Sequence, residues 1–239
     1  MEKNSYWIGG RHAVEAAILN PQREKYEIAL LDRSHHTQDM EAKFFSYKNI
    51  IKIKNQKFFN KIFPLDFKHQ GIACRVSPFN KTDLKEHLTN FGNEQNIVLL
   101  DGVTDPRNIG SIIRNCVAFD ISTIILHDQG LNLKSPSLHI AASGAIEHIT
   151  IVVVKNISSA IRVLKENNFW VFGFDGNSKL NFTKSMSGKK NILIFGDEGS
   201  GMKVLTKKSC DQLVSIPINK KIESLNVSSA VVAALSFLR

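Results

Sequence analysis

The spacing of apolar residues changes character near residue 96. Before it, short mixed patterns alternate. His12–Ile18 reads as a helix, with Val14, Ala17 and Ile18 at i, i+3 and i+4. Glu27–Leu31 reads as a strand, Thr37–Tyr47 as a helix and Ile50–Ile53 as a strand. Lys57–Phe63 is a helix stopped near Pro64, and Ala73–Val76 is a strand ending at Ser77-Pro78. Residues 78–95 are polar, with Leu84, Leu88 and Phe91 as apolar anchors, and read as a connector with a helical turn or two. From residue 96, short apolar runs of buried-strand type recur at Ile97–Leu100, Thr123–Leu126, Ile149–Val154, Trp170–Phe174, Ile192–Phe195 and Leu213–Ile216. Helical stretches near 109–119, 137–145, 157–167, 203–210 and 227–238 lie between and after them. The fold class is therefore α/β: a small unit over 1–77, a linker over 78–95, and a larger, mainly parallel sheet covered by helices over 96–239.

Composition narrows the partners. The chain has 239 residues, enough for two modest domains, and 43% of them are hydrophobic, so a sizeable core can form. No apolar run reaches the length of a membrane span, and MEKNSYWIGG has no apolar signal-peptide region, so a cytoplasmic protein is expected. Cys74, Cys116 and Cys210 form no CxxC pair and the eight histidines show no ligand spacing, so neither a disulfide framework nor a metal site is expected. His35, His36 and His69 read as surface or RNA-facing residues. The net charge of +9 favours a polyanion such as nucleic acid. Residues 1–77 carry 13 basic against 8 acidic residues, and residues 96–239 carry 16 against 11; both sections are +5, so an RNA footprint can span both.

Ligands on parallel sheets bind at the carboxyl ends of strands, which directs attention to three loops. After Leu100 comes DGVTDPRNIGSIIRNC, where Asp105-Pro106 signals a turn and Asn108 can cap a helix beginning at Ile109, with Arg114 further along it. After Phe195 comes GDEGSGM, whose clustered glycines require unusual dihedrals or a close approach. It is neither GxGxxG nor a P-loop, because the third glycine of the former would fall at Val204. Asp197 and Glu198 suit a cationic ligand with an adenosine part better than a phosphate. After Ile216 comes PINKKIESLNVSSAVVAALSFL, where Ser224 and Asn226 precede a helix of small residues that can pack closely. Each loop alone also reads as ordinary capping or a tight acidic turn.

In order and context, NIGSIIR after DGVTDPR, IFGDEGSGM, and SIPINKKIESLNVSSA resemble the three motifs of the SpoU family of RNA ribose methyltransferases. GGRHAVEAAI and HQGIACRV resemble the L30e-like substrate-binding domain that accompanies bacterial enzymes methylating a guanosine of large-subunit ribosomal RNA. The resemblance implies an α/β-knot domain with a deep trefoil, a homodimer with active sites at the subunit interface, S-adenosylmethionine as cofactor, no metal, and 23S ribosomal RNA as partner. It implies Arg114, Asn108, Glu198, Ser224 and Asn226 as catalytic residues. Gly196, Ile216 and Leu225 are the implied cofactor contacts, through main-chain groups, with Gly173, Gly176 and Gly201 beside them. Glu223 departs from the small polar residue of close relatives, and Asp197 occupies a variable position. Because guanidinium stays protonated, Arg114 is expected to orient the target phosphate and 2′-oxygen, with Asn108 and Glu198 fixing its fork. A transfer-RNA enzyme of the same family and a non-catalytic RNA binder are the alternatives; a NAD-dependent dehydrogenase lacks its glycine fingerprint.

Overall fold

The computed structural model describes residues 4–32, 42–80, 82–89, 95–183, 188, 190–219 and 221–238. The chain forms two compact units, one of residues 1–80 with 133–147 and one of residues 81–132 with 148–239.

The first unit holds a four-stranded sheet in the order β1-β4-β2-β3, from Tyr6–Gly9, Lys25–Leu31, Ile51–Lys54 and Ile72–Val76. β4 pairs antiparallel with β1 and β2, and β2 runs parallel to β3. Helix α1 (Arg11–Leu19) buries Ala13, Val14, Ala17 and Ile18, the face its spacing predicts. Helix α2 (Gln56–Ile62) is capped by Asn55, whose side chain accepts from Phe58 N, and buries Phe59. β1 is absent from the apolar reading because four residues ending in glycine carry too little pattern. The expected helix over Thr37–Tyr47 lies partly outside the described residues; its end is instead a 3-10 turn over Phe45–Ile50 with no buried residue. His35 and His36 also lie outside the described residues, whereas His69 is half-buried and stacks on Phe59 at 4.4 Å.

The second unit holds six parallel strands in the order β10-β8-β9-β5-β6-β7. They are β5 (Gln95–Asp101), β6 (Thr123–His127), β7 (Thr150–Val154), β8 (Trp170–Phe174), β9 (Lys190–Gly196) and β10 (Gln212–Val214). The central strands are buried on both faces, as continuous apolar runs require. The connector contributes helix α3 (Leu84–Thr89), which buries Leu84 and Leu88 against Ile97, Val152 and Leu164; Phe91 lies outside the described residues. Helix α4 (Pro106–Ala118) buries Ile109, Ile112, Ile113 and Cys116. It begins three residues earlier than its apolar spacing suggests, because Asp105 is the cap: its Oδ1 accepts from Arg107 N at 2.8 Å, and Pro106 occupies the first helical position. Helices α6 (Ile157–Glu166), α7 (Val204–Ser209) and α8 (Val227–Ser236) complete this unit, with α8 packed along α4.

Helix α5 (Pro136–Ala142) and the 3-10 turn Ala145–His148 read from sequence as one stretch. The break is Ser143, left-handed at φ 50°, followed by Gly144 at φ 88°. A Cβ on Gly144 would stand 2.7 Å from Ala16 Cβ and 2.9 Å from the His12 carbonyl, so the turn lies directly on α1. Residues 133–147 thus belong to the first unit, although 96–239 reads as one continuous alternation. Glu147 pairs with Arg23 at 3.6 Å, both side chains almost wholly buried, and Arg23 lies 3.7 Å over the Phe79 ring.

Candidate active site

Three loops at the carboxyl end of the larger sheet converge as the strand pattern predicts. The first hinge of the site is Asp101, fully buried at the end of β5. Its Oδ2 accepts from Lys203 N at 2.8 Å and ties the loop after β9 to the neighbouring strand. That loop doubles back on itself. Asp197 bridges Gly201, and Gly201 takes φ 64°. A Cβ on Gly196 would stand 2.2 Å from Gly201 C and from Met202 N, so the two backbone segments touch where any side chain would separate them.

The loop places Glu198 where three donors meet. Glu198 Oε1 accepts from Asn108 Nδ2 at 2.9 Å, from Asn226 Nδ2, and from Val227 N at 3.3 Å. Asn226 also donates to Asn108 Oδ1 at 3.1 Å, while its own Oδ1 caps α8 by accepting from Ser228 N at 2.9 Å. Asn108, Glu198 and Asn226, far apart in sequence, therefore form one network. A carboxylate held by three N–H groups keeps its negative charge at a fixed point.

Arg114 does not join this network. Asn108 and Glu198 bond to each other and to Asn226, not to the Arg114 fork as expected. Arg114 lies six residues beyond Asn108 on α4, which rotates it about 240° around the helix and about 9 Å along it. It is exposed, with no hydrogen bond or ion pair among the described residues.

Beside the network lies a cavity of about 460 Å³. Gly196, Gly201, Ile216, Leu225, Ser224 and Gly176 line it. Gly173 does not. It is buried within β8, where a Cβ would meet Cys210 Sγ at 2.6 Å and Leu213 Cδ2 at 2.8 Å; its small size serves packing. Phe174 and Phe195, stacked at 4.5 Å and 11°, form an apolar wall with Met202 and Ile218. Asp175, Asp197, Glu198 and Glu223 set four acids on the lining against the single base Lys207 among the described residues. Partial burial would raise the Asp175 carboxyl, but Lys207 and the Asn177 N–H outweigh it and hold its pKa below the usual carboxylate value. Asp175 went unread, although its place just past the carboxyl end of a strand was a signal for it; Lys207, inside a short helix, carried none.

A cavity of this size, with an aromatic wall, exposed backbone at a glycine crossing and an acidic rim, suits a cationic nucleoside. No group of three or more His, Cys, Asp or Glu able to hold a metal occurs among the described residues. No helix among them is long and apolar enough to cross a membrane.

The family described as SpoU rRNA Methylase matches residues 95–236, and the one described as RNA 2′-O ribose methyltransferase substrate binding matches residues 7–82. The chain is 31% identical over 238 residues to the 23S rRNA (guanosine-2′-O-)-methyltransferase RlmB of Salmonella typhi, covering 95% of this chain and 94% of that protein. It is 30% identical over 238 residues to RlmB of Escherichia coli K12, with the same coverage. It shares its fold with the SpoU methyltransferase AviRb of Streptomyces viridochromogenes, with a TM-score of 0.82 at 18% identity over 99% of this chain and 89% of that one. The AdoMet-bound rRNA methyltransferase of Sinorhizobium meliloti superposes with a TM-score of 0.79 at 22% identity, over 100% and 88% of the two chains. With both sections matched and relatives of this identity spanning nearly its whole length, the chain belongs to the SpoU family and is an S-adenosylmethionine-dependent RNA 2′-O-ribose methyltransferase.

Proposed function

We propose that this enzyme methylates the ribose 2′-hydroxyl of a guanosine in 23S ribosomal RNA. The names of the relatives that match along the whole chain support the substrate, and the net charge of +9 suits it. The observation that carries the catalytic reading is the meeting of Asn108, Asn226 and Val227 N on Glu198 beside an acidic, aromatic-walled cavity.

Main-chain groups around Gly196, Ile216 and Leu225 would hold the adenine and ribose of S-adenosylmethionine, beside the flat wall of Phe174 and Phe195. When bound, the cofactor supplies an electrophilic methyl group on a sulfonium. Glu198 stabilises that positive charge and is kept in place by its three donors. Ser224 and Asn226 order the loop at the target nucleotide. Arg114 would orient the target phosphate and 2′-oxygen.

Arg114 is exposed and bonds to none of the Glu198 network of its own chain, which supports a homodimer in which it completes the partner's site. Membership of the SpoU family supports a trefoil knot in the larger unit. Residues 1–77 supply RNA affinity, 78–95 link, and 96–239, less the 133–147 segment that folds with the first unit, carry the chemistry, in the cytoplasm. Ribose-methylation mapping of total RNA with and without the protein tests the assignment. Loss of one guanosine methylation in 23S RNA is expected; a lost mark confined to transfer RNA refutes the substrate.

A further inference from the structure

The cavity carries a pair of opposite charges that methyl transfer itself does not require. Asp175 follows β8 and Lys207 lies in α7; Lys207 Nζ stands 2.7 Å from Asp175 Oδ2, and both residues line the cavity. Their side chains are 14% and 32% exposed, so both can be reached from the cavity. Of the other three acids, Glu223 is exposed and two are engaged elsewhere. Asp197 Oδ2 accepts from Gly199 N and Ser200 N and shapes its own loop, while Glu198 Oε1 holds Asn108, Asn226 and Val227 N. Among the described lining residues Lys207 is the one base, so a ligand carboxylate has one cationic partner there. The acid bonded to that base offers a ligand ammonium its complement at the same place.

A methyl donor of the sulfonium class ends in an α-amino acid, whose carboxylate and ammonium are separated by one carbon. Two protein charges in contact match that spacing, and both remain open to the cavity. Resting on the cofactor reading above, the geometry points to Asp175 and Lys207 as the recognition pair for the amino-acid end of the methyl donor: Lys207 receives its carboxylate and Asp175 its ammonium. Neither residue takes part in the transfer; they anchor the tail so that the sulfonium lies at the Glu198 network.

The test compares two ligands by calorimetric titration of the full-length protein. S-adenosylhomocysteine carries the amino-acid end; 5′-methylthioadenosine lacks it and keeps the nucleoside and sulfur. Lys207→Met is expected to weaken S-adenosylhomocysteine about tenfold or more, the scale of one charge-assisted hydrogen bond, while 5′-methylthioadenosine stays within about twofold. Asp175→Asn is expected to act in the same direction, and Lys207→Arg to retain most of the affinity. Unchanged S-adenosylhomocysteine binding in Lys207→Met overturns the inference, as does equal loss of both ligands in Lys207→Met and Lys207→Arg, which marks the pair as structural. Wild-type protein that binds neither ligand overturns the cofactor reading itself, a result distinct from both.

Discussion

Gly196→Ala isolates the backbone crossing on which the cavity depends. The added methyl would stand 2.2 Å from Gly201 C and Met202 N, whereas real Cβ contacts essentially never fall below 3.0 Å and become ordinary at 3.4 Å. The obstacle is backbone, which cannot swing aside as a side chain can, so the Gly201–Met202 segment must move by about 1 Å. That motion pulls on Lys203 N, whose bond to Asp101 Oδ2 is 2.8 Å, and on Met202, which is buried in the core. Asp101 is wholly buried and its Oδ1 has no partner among the described residues, so losing Lys203 N strips the carboxylate of its bond. A buried charged acceptor left this way costs about 2–3 kcal/mol, and loosened packing adds to it. A loss of about 3 kcal/mol lowers the melting temperature by about 6–12 °C in a chain of this size. Cofactor affinity should fall with it, because the displaced loop also carries Glu198. Gly176→Ala is the control: it lines the same cavity with nothing within 4 Å of an added Cβ. Thermal unfolding of both variants, with and without S-adenosylhomocysteine, measures the difference. A Gly196→Ala protein that melts within about 2 °C of wild type and binds the ligand normally would refute the argument.

Other expectations follow from the same geometry. Arg114→Lys keeps the charge but loses the planar fork, so single-turnover methyl transfer at saturating RNA and cofactor should fall about 10²-fold with cofactor affinity unchanged; a near-wild-type rate removes Arg114 from the catalytic set. His139 is buried with its pKa depressed to about 4, so it is neutral in the folded protein while the unfolded chain takes up a proton near 6.5. Its contribution is present above about pH 6.5, shrinks as pH falls and is lost through about pH 4, about 3 kcal/mol in all; denaturant titrations at pH 7 and pH 4 should show a smaller acid loss in His139→Gln than in wild type, and equal losses argue against it. Deleting residues 1–77 should weaken RNA binding and flatten its salt dependence, but it also bares Leu138, Ala142 and Ile146, so the simple deletion should precipitate. Replacing 133–147 with a short polar linker in the same deletion should restore a soluble, cofactor-binding protein; loss of cofactor affinity in that folded protein would show that residues 1–77 do more than hold RNA.

What the sequence disclosed depended on how local each signal was. Strands β5, β6, β8 and β9 were legible because the inner strands of the sheet are buried on both faces and read as apolar runs. β1 was not, since its place is set by pairing with β4, a partner some 65 residues away. The cap of α4 was misread because Asn108 and Asp105 are equally good capping types, and Pro106 decided between them. Asn108, Glu198 and Asn226 were named through family motifs, yet their mutual bonds and the exclusion of Arg114 are three-dimensional facts. Gly173 and Gly196 look alike in sequence; one accommodates the side chains of Cys210 and Leu213, the other a crossing backbone, and only coordinates separate the two.

The split composition of the first unit also sets a clock on its synthesis. Residues 1–80 leave the ribosome well before 133–147 exist, so α1 and β1 emerge without the helix and turn that cover them, and Arg23 without Glu147. At about 5–20 residues per second, the intervening stretch to residue 147 takes about 3–13 s to make. During that interval the nascent chain holds an incomplete core and a buried-type arginine with no carboxylate. The usual order, in which an amino-terminal domain is finished before the next one begins, is closed to this protein: much of the larger unit's first half must be made before the smaller unit can be completed.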